Sequence, residues 1–355
     1  MQLLEKATNR VKGVVYSLFV NAGIERHAGP ILTLLEFSYT VLSKFNFGRN
    51  ATQFKLNKYV SDFKANTKLS AQQNEKLVAV VTGANSGVGY ETAKALGLAG
   101  YQVIMACRNH KLADKAIISL RGETGLDNFR FMELNLSSFD SIKKFVDSFK
   151  AEYSKLNLLV NNAGVMMCPY MTTEDGLEMQ VGTNHVGHFM LTSGLLEEIK
   201  AAKRARIVVL ASTAQFRSNY EKSLILDSSK YNKVTQYGLS KLANVMFTTE
   251  LAKRLQGTGV TVNAVHPGIV NTNLARHLEI TKSSVVQHIL SLLLLTPAAG
   301  SLTSVKVALS PDLEGATGKY FEHEHEATCK VEGNNPALCV DLWGYTEELI
   351  AKFSK

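Results

Sequence analysis

Leu77-Val78-Ala79-Val80-Val81-Thr82-Gly83-Ala84-Asn85-Ser86-Gly87-Val88-Gly89 decides the fold. Its first five residues are apolar and largely β-branched, as a strand buried on both faces of a parallel sheet requires. Tyr90 to Ala99 then has the spacing of a helix. Strand, glycine-rich turn and helix in that order form a phosphate-binding unit. Glycine lets the chain turn tightly and bring its backbone against a pyrophosphate, while the helix N-terminus supplies N–H groups and a positive dipole end. Gly83, Asn85, Ser86, Gly87, Val88 and Gly89 are therefore expected to cradle a dinucleotide. The three-residue gap between the first two glycines departs from G-x-G-x-x-G.

Strand and helix alternate downstream. Tyr101 to Ala106 reads as a strand ending in Cys107-Arg108-Asn109. An acidic residue here would hold the adenosine ribose hydroxyls; Arg108 instead presents a guanidinium fork to a 2′-phosphate, which predicts NADP(H). The plainer alternative is a solvated surface arginine. Phe129 to Leu134 leads into Asn135-Leu136-Ser137, Ser138 to Tyr153 is helical by spacing, and Leu156 to Val160 runs into Asn161-Asn162-Ala163-Gly164. Apolar strands that end in small and amide residues present the carboxyl edge of a sheet to a ligand. Alone, that last tetrapeptide reads as an ordinary turn. The pattern predicts a doubly wound α/β fold, a mainly parallel sheet between helical layers, as one domain over residues 77–355.

Arg206 to Ala211 is a further buried-strand pattern with Ser212 at its end. Lys233 to Gln256 is helical, and Tyr237 and Lys241 share one face of it at i and i+4. A free phenol titrates near pH ~10, too high for proton exchange at neutrality. A neighbouring ammonium and a cationic nicotinamide favour the phenolate. Tyr237 is thus a candidate acid/base towards a carbonyl or alcohol, with Ser212 orienting the substrate oxygen. Standing alone, the pair reads as a tyrosine on an amphipathic helix beside a solvated lysine.

The ordered set Thr82-Gly83-x3-Gly87-x-Gly89, Asn161-Asn162-Ala163-Gly164, Asn184, Ser212, Tyr237-x3-Lys241 and Pro267-Gly268 resembles the short-chain dehydrogenase/reductase superfamily across residues 77–320. Ala106 to Asn109, Asn161 to Met166, Thr183 to Phe189, Ser240 to Asn244 and His266 to Val270 are similar to the branch holding retinol dehydrogenases, the X-linked dehydrogenase/reductase, WW-domain oxidoreductase and protochlorophyllide reductase. The resemblance implies Ser212, Tyr237 and Lys241 as a catalytic triad, with Asn184 holding a water that relays protons to Lys241. It implies that Lys241 also holds the nicotinamide ribose. It places Asn135, Leu136, Asn162, Ala163, Gly164, Pro267 and Thr272 around the cofactor. Asn135 stands where the family often has Asp accepting from the adenine amino group; an amide oxygen accepts as well. The serine-to-tyrosine interval of 25 residues is longer than in compact members, and Arg217 to Lys233 fits an insertion of the retinol dehydrogenase branch. Tyr237-Gly238-Leu239-Ser240 lacks the form usual in protochlorophyllide reductases.

The net charge of +8 is uneven: residues 1–76 carry eleven Lys/Arg against five Asp/Glu. Val11, Val14, Val15, Leu18, Phe19 and Ala22 mark one helical face, Gly29-Pro30 interrupts, and a second apolar stretch runs from Ile31 to Phe47. Spanning a bilayer takes about 20 largely uncharged residues, so neither stretch suffices. The extension over residues 1–76 is read as amphipathic helices that lie in a membrane interface through residues 11–47, or that pack on the protein's own domain or a twin subunit. Residues 50–76 read as a polar connector. Nucleic acid is not indicated, because the basic residues form no reading motif. Four cysteines without metal-like spacing suggest a reducing compartment, cytoplasmic or on the cytosolic face of the endoplasmic reticulum or a lipid droplet.

Val285 to Leu295, apolar on nearly every side, occupies the position of the superfamily's substrate lid and suits a greasy substrate, lipid, or a core helix beneath the domain. His288 within it reads as incidental. His323 and His325, alternating with glutamates, read as a solvated loop and not as a metal site. The chemistry predicted is NADP(H)-dependent interconversion of an alcohol and an aldehyde or ketone on a lipophilic molecule such as a retinoid, sterol or polyprenoid. Its rivals are reduction of small xenobiotic carbonyls and a non-catalytic NADP-sensing scaffold; the latter has no need of proton-transfer groups. A homodimer through the Lys233–Gln256 helix follows by analogy with the superfamily.

Overall fold

A computed structural model describes residues 2–21, 28–46, 49–69, 76–272, 274 and 292–354. The decisive stretch folds as read: β1 (Val78–Thr82) is buried at every residue, and α4 (Gly87–Ala99) begins inside the glycine turn. Three helices precede β1: α1 (Gln2–Asn21), α2 (Ala28–Asn46) and α3 (Arg49–Leu69). After α4 come β2 (Gln102–Cys107), α5 (His110–Thr124), β3 (Phe129–Glu133), α6 (Phe139–Glu152), β4 (Leu158–Asn161), α7 (Gly187–Gly194), β5 (Arg206–Leu210), α8 (Lys233–Arg254), β6 (Thr261–His266), α9 (Pro297–Leu309), β7 (Lys319–Glu322), β8 (His325–Glu326) and α10 (Pro336–Phe353).

The strands form one sheet in the order β3-β2-β1-β4-β5-β6-β7-β8, parallel except for β8. Strand order reverses between β1 and β4, and a ligand crevice lies outside the carboxyl ends at such a switch point. Two apolar cores cover the sheet. Phe145, Phe149, Leu239 and Phe247 from α6 and α8 fill one face. Leu96, Ile117, Leu120 and Val305 from α4, α5 and α9 fill the other.

Two sequence expectations are corrected. The stretch read as a polar connector is the helix α3, because Leu56, Tyr59, Val60 and Phe63 make a narrow apolar stripe at i, i+3, i+4 and i+7 that joins the second core. Phe63 stacks on Tyr101 at 5.5 Å. The His323 region is not solvated: Glu322, His323 and Glu324 are buried beneath the N-terminal helices. Helix α8, largely buried within the chain, is covered by α10 and residues 331–334, and Trp343 stacks on Phe247 at 5.8 Å. Of the apolar lid stretch, residues 285–291, His288 among them, lie outside the described residues. Leu295 bonds the backbone of Ile269 and Asn271 at 3.0 Å.

Candidate active site

Thr82 ends β1 and ties two strand ends together. Its hydroxyl accepts from the backbone N–H groups of Asn162 (2.8 Å) and Ala163 (2.9 Å), and its carbonyl accepts from the Asn162 amide at 2.7 Å. Gly83 (φ +66) and Gly87 (φ +60) take the left-handed conformation. A Cβ at position 89 would stand 2.6 Å from the Gly83 oxygen, and one at position 87 would stand 3.1 Å from Thr272 Cγ2. The turn is therefore a cradle that side chains would fill. Ser86 is the N-cap of α4, yet its side chain makes no capping bond, so first-turn N–H groups are offered to an anion. These features fit a dinucleotide pyrophosphate.

Gly83 N–H donates to the Ala106 carbonyl at 2.8 Å, which sets the end of β2 beside the turn. Cys107 is buried there; burial pushes its thiol up to about 11 despite backbone contacts from Asn85 and Ala84. Arg108, the next residue, is exposed. Asn135 is half-buried, but its side-chain oxygen already accepts from the N–H (3.2 Å) and hydroxyl (2.7 Å) of Ser137, and its amide donates to Glu174. The adenine-accepting role implied for it by the resemblance is thus opposed by a local turn that uses both lone pairs. Leu136 is buried, its carbonyl against Gly187 where no Cβ would fit.

Across the sheet, Ser212 follows β5 and caps a short helical turn, accepting from Ala214 N–H at 3.1 Å. Its side chain lies close enough to the Tyr237 hydroxyl to pull the phenol downward. The Lys241 ammonium donates to the Leu210 carbonyl at 2.9 Å and stands 5.7 Å from the Tyr237 ring centre. Asn184 lies in a π-helical turn (Gly182–Val186) ahead of α7, the kind of helical irregularity frequent at functional sites. Its amide accepts from Val165 N–H at 2.8 Å and donates to the Ser240 hydroxyl at 3.0 Å. A Cβ at position 164 would meet Asn184 Oδ1 at 3.1 Å and the Lys241 ammonium at 3.8 Å, so Gly164 is the point where the amide strand end, Asn184 and Lys241 converge.

Burial governs the titration of this cluster. It pushes the Tyr237 phenol up to about 12, against a downward pull from Ser212, and drives the Lys241 ammonium down to about 8. Burial of the ring is the larger influence and outweighs Ser212; the lowering expected from the ammonium together with a cationic nicotinamide belongs to the cofactor complex. The phenol is therefore protonated at neutrality, the form that gives a proton to a carbonyl oxygen.

His188 had no role in the sequence reading. Its two ring nitrogens lie 2.9 Å from the Thr82 hydroxyl and 3.0 Å from the Asn184 carbonyl, linking the glycine turn to the π-helical turn. Burial lowers it to about 3, so it is neutral and structural at physiological pH. Its position four residues after Asn184 on a helix was the one available signal.

A dinucleotide cradle at the switch point with a Ser-Tyr-Lys cluster across from it defines a nicotinamide-dependent dehydrogenase. The chain belongs to the short-chain dehydrogenase family, whose model matches residues 77–283. It is 40% identical to retinol dehydrogenase 14 of Homo sapiens over 288 residues, covering 76% of this chain and 85% of that protein. Human retinol dehydrogenase 12 is 41% identical over 273 residues, 77% of this chain and 86% of that protein. Among solved structures, an uncharacterized protein of Mycobacterium paratuberculosis superposes with a TM-score of 0.63 at 29% identity, covering 78% of this chain and 93% of that one. A Shigella flexneri short-chain dehydrogenase complexed with NADP gives 0.54 at 22% identity over 70% and 97%, a likeness of fold. The chain is accordingly an oxidoreductase of CH–OH and C=O groups that uses a nicotinamide cofactor.

Proposed function

We propose that the protein interconverts an alcohol and an aldehyde or ketone on a lipophilic, retinoid-type molecule with NADP(H), and that residues 77–355 carry this chemistry while residues 1–76 form an extension packed against them. The observation that carries the reading is the gathering of Ser212, Tyr237 and Lys241, with Lys241 one helical turn from Tyr237 and both Lys241 and Asn184 converging at Gly164. The 40% identity to human retinol dehydrogenase 14 supports the substrate class.

In this proposal Gly83, Asn85, Ser86, Gly87, Val88 and Gly89 hold the pyrophosphate. Arg108 holds a 2′-phosphate, Leu136 and the Asn162–Gly164 strand end line the adenosine side, and Pro267 and Thr272 close the nicotinamide side. The bound nicotinamide supplies or takes up the hydride. Ser212 hydrogen-bonds the substrate oxygen, and Tyr237 gives it a proton during reduction or withdraws one during oxidation. Lys241, cationic below about pH 8, favours re-protonation of the phenolate and holds the ribose. Asn184 orients the relay towards Lys241.

The extension also supports a peripheral membrane contact. Lys12 and Tyr16 of α1 face inward, whereas Val11, Val14 and Leu18 are exposed, as are Ile31, Leu34 and Leu42 of α2. No helix among the described residues is long and apolar enough to cross a bilayer. An outward apolar face of this kind suits burial at the headgroup level of an intracellular membrane.

The test is a panel of all-trans-retinaldehyde, sterol ketones, polyprenyl aldehydes and short xenobiotic carbonyls with NADPH or NADH. The reading expects kcat/KM to rise with apolar length and to favour NADPH. Equal or better turnover of the short carbonyls would give the xenobiotic alternative, and no turnover at all would overturn the assignment.

A further inference from the structure

A buried charged cluster lies outside the chemistry described so far. Glu36 of α2 is 0% exposed. Its carboxylate pairs with Lys12 of α1, lies 3.0 Å from His323 Nε2 in the β7–β8 turn, and lies 3.3 Å from His266 Nε2 at the end of β6. Lys12 also meets Glu322 at 2.6 Å. Glu36, Glu322 and His323 present ligand atoms within 4.8 Å of one another. The Lys12 ammonium already bonds both carboxylates, so the cation of this cluster is a side chain.

His266 matters most. Its ring nitrogens make no hydrogen bond among the described residues, so the Glu36 carboxylate is the charged group set against the ring. The next residues are the Pro267-Gly268 turn and the loop to Thr272, whose methyl abuts the glycine cradle at Gly87. Glu36 Oε1 stands 3.7 Å from where a Cβ on Gly268 would lie, directly beneath that turn. The opposite wall is equally committed: His323 (φ +49) and Glu324 (φ +66) both take the left-handed conformation. Two-residue hairpin turns of this type favour Asn-Gly. Here the turn carries two strained side chains instead, His323 on Glu36 and Glu324 on Lys55 at 2.5 Å.

We propose that Glu36 is a positioning residue for the cofactor, holding His266 and thereby the Pro267–Thr272 loop against the glycine cradle, so that a helix outside the dinucleotide fold tunes nicotinamide binding. The inference rests on the NADP(H) reading of the site. It makes the N-terminal helices part of the catalytic unit as well as a surface.

Titrating the full-length protein with NADPH by fluorescence, with steady-state kinetics alongside, tests it. Glu36→Gln removes the charge and keeps the shape. It is expected to raise the dissociation constant and KM for NADPH about tenfold, with kcat within about twofold. His266→Asn leaves Lys12, Glu36 and Glu322 paired and is expected to do the same; it decides the matter if Glu36→Gln does not fold. Glu324→Gln loosens α3 without touching β6 and is the control, expected to lower Tm but not NADPH affinity. Unchanged affinity in the folded Glu36 or His266 variant, or an equal loss in Glu324→Gln, would overturn the inference. A wild-type protein that does not bind NADPH would instead overturn the reading of the site itself.

Discussion

Among the lysines buried in the described residues, Lys12 and Lys241 have surroundings that differ in one respect. Lys12 sits between two carboxylates, Glu36 and Glu322; burial alone would lower its pKa, but the two anions more than reverse this and raise it. Lys241 faces one backbone carbonyl and no carboxylate, and burial brings it down to about 8. The same side chain is a permanent structural cation in one place and a group that titrates near neutrality in the other. Compensation decides which: a fully paired ion fixes helices to a sheet edge, and an uncompensated one is chemically available.

Lys12→Met breaks one side of the comparison and carries the largest expected effect on stability. It leaves two buried carboxylates facing each other and is expected to destabilise the fold by about 3–5 kcal/mol, measured by urea unfolding. Lys241→Met has the opposite sign. A lysine depressed from 10.5 to about 8 destabilises the folded state wherever it is charged. The variant is therefore expected to be inactive yet more stable at pH 7, by on the order of 3 kcal/mol before the lost Leu210 hydrogen bond is deducted. That advantage should shrink as pH climbs from about 8 towards 10.5, because the wild-type lysine then sheds its proton.

Much of the Lys241 side of this comparison was legible in the sequence. Thr82 to Gly89 announces a strand, a cradle and a helix by glycine spacing, and Tyr237 with Lys241 announces a shared helical face. These signals are local and periodic. The Lys12 side was not legible, since Lys12, Glu36, His266 and Glu322 lie up to 310 residues apart and meet only when α1 and α2 dock on β6 and β7. Charged residues in a histidine-rich segment ordinarily signal solvent, and here they signalled a buried ion cluster. The α3 helix was missed because four apolar residues were spaced among lysines and glutamines. The enclosure around the Tyr237 phenol was not legible either, because sequence spacing shows the neighbouring cation but not what surrounds the ring.

Arg108→Asp sharpens the comparison from the exposed end of the site and is the smallest expected effect. A guanidinium–phosphate hydrogen bond contributes about 1.5–3 kcal/mol. The NADPH dissociation constant should therefore rise at least about tenfold. The NADH constant should stay within about twofold. Equal changes for both cofactors in fluorescence titrations would remove Arg108 from the phosphate site.

The most direct measurement is single-turnover reduction of all-trans-retinaldehyde by NADPH in the wild type and in Tyr237→Phe, with NADPH binding followed in the same samples. The phenol is the proton donor in this account, and loss of a positioned acid slows reaction by about 10²–10⁴-fold. The variant should thus bind NADPH within about twofold of wild type and transfer hydride at least about a hundredfold more slowly. Transfer at the wild-type rate without the hydroxyl would contradict it.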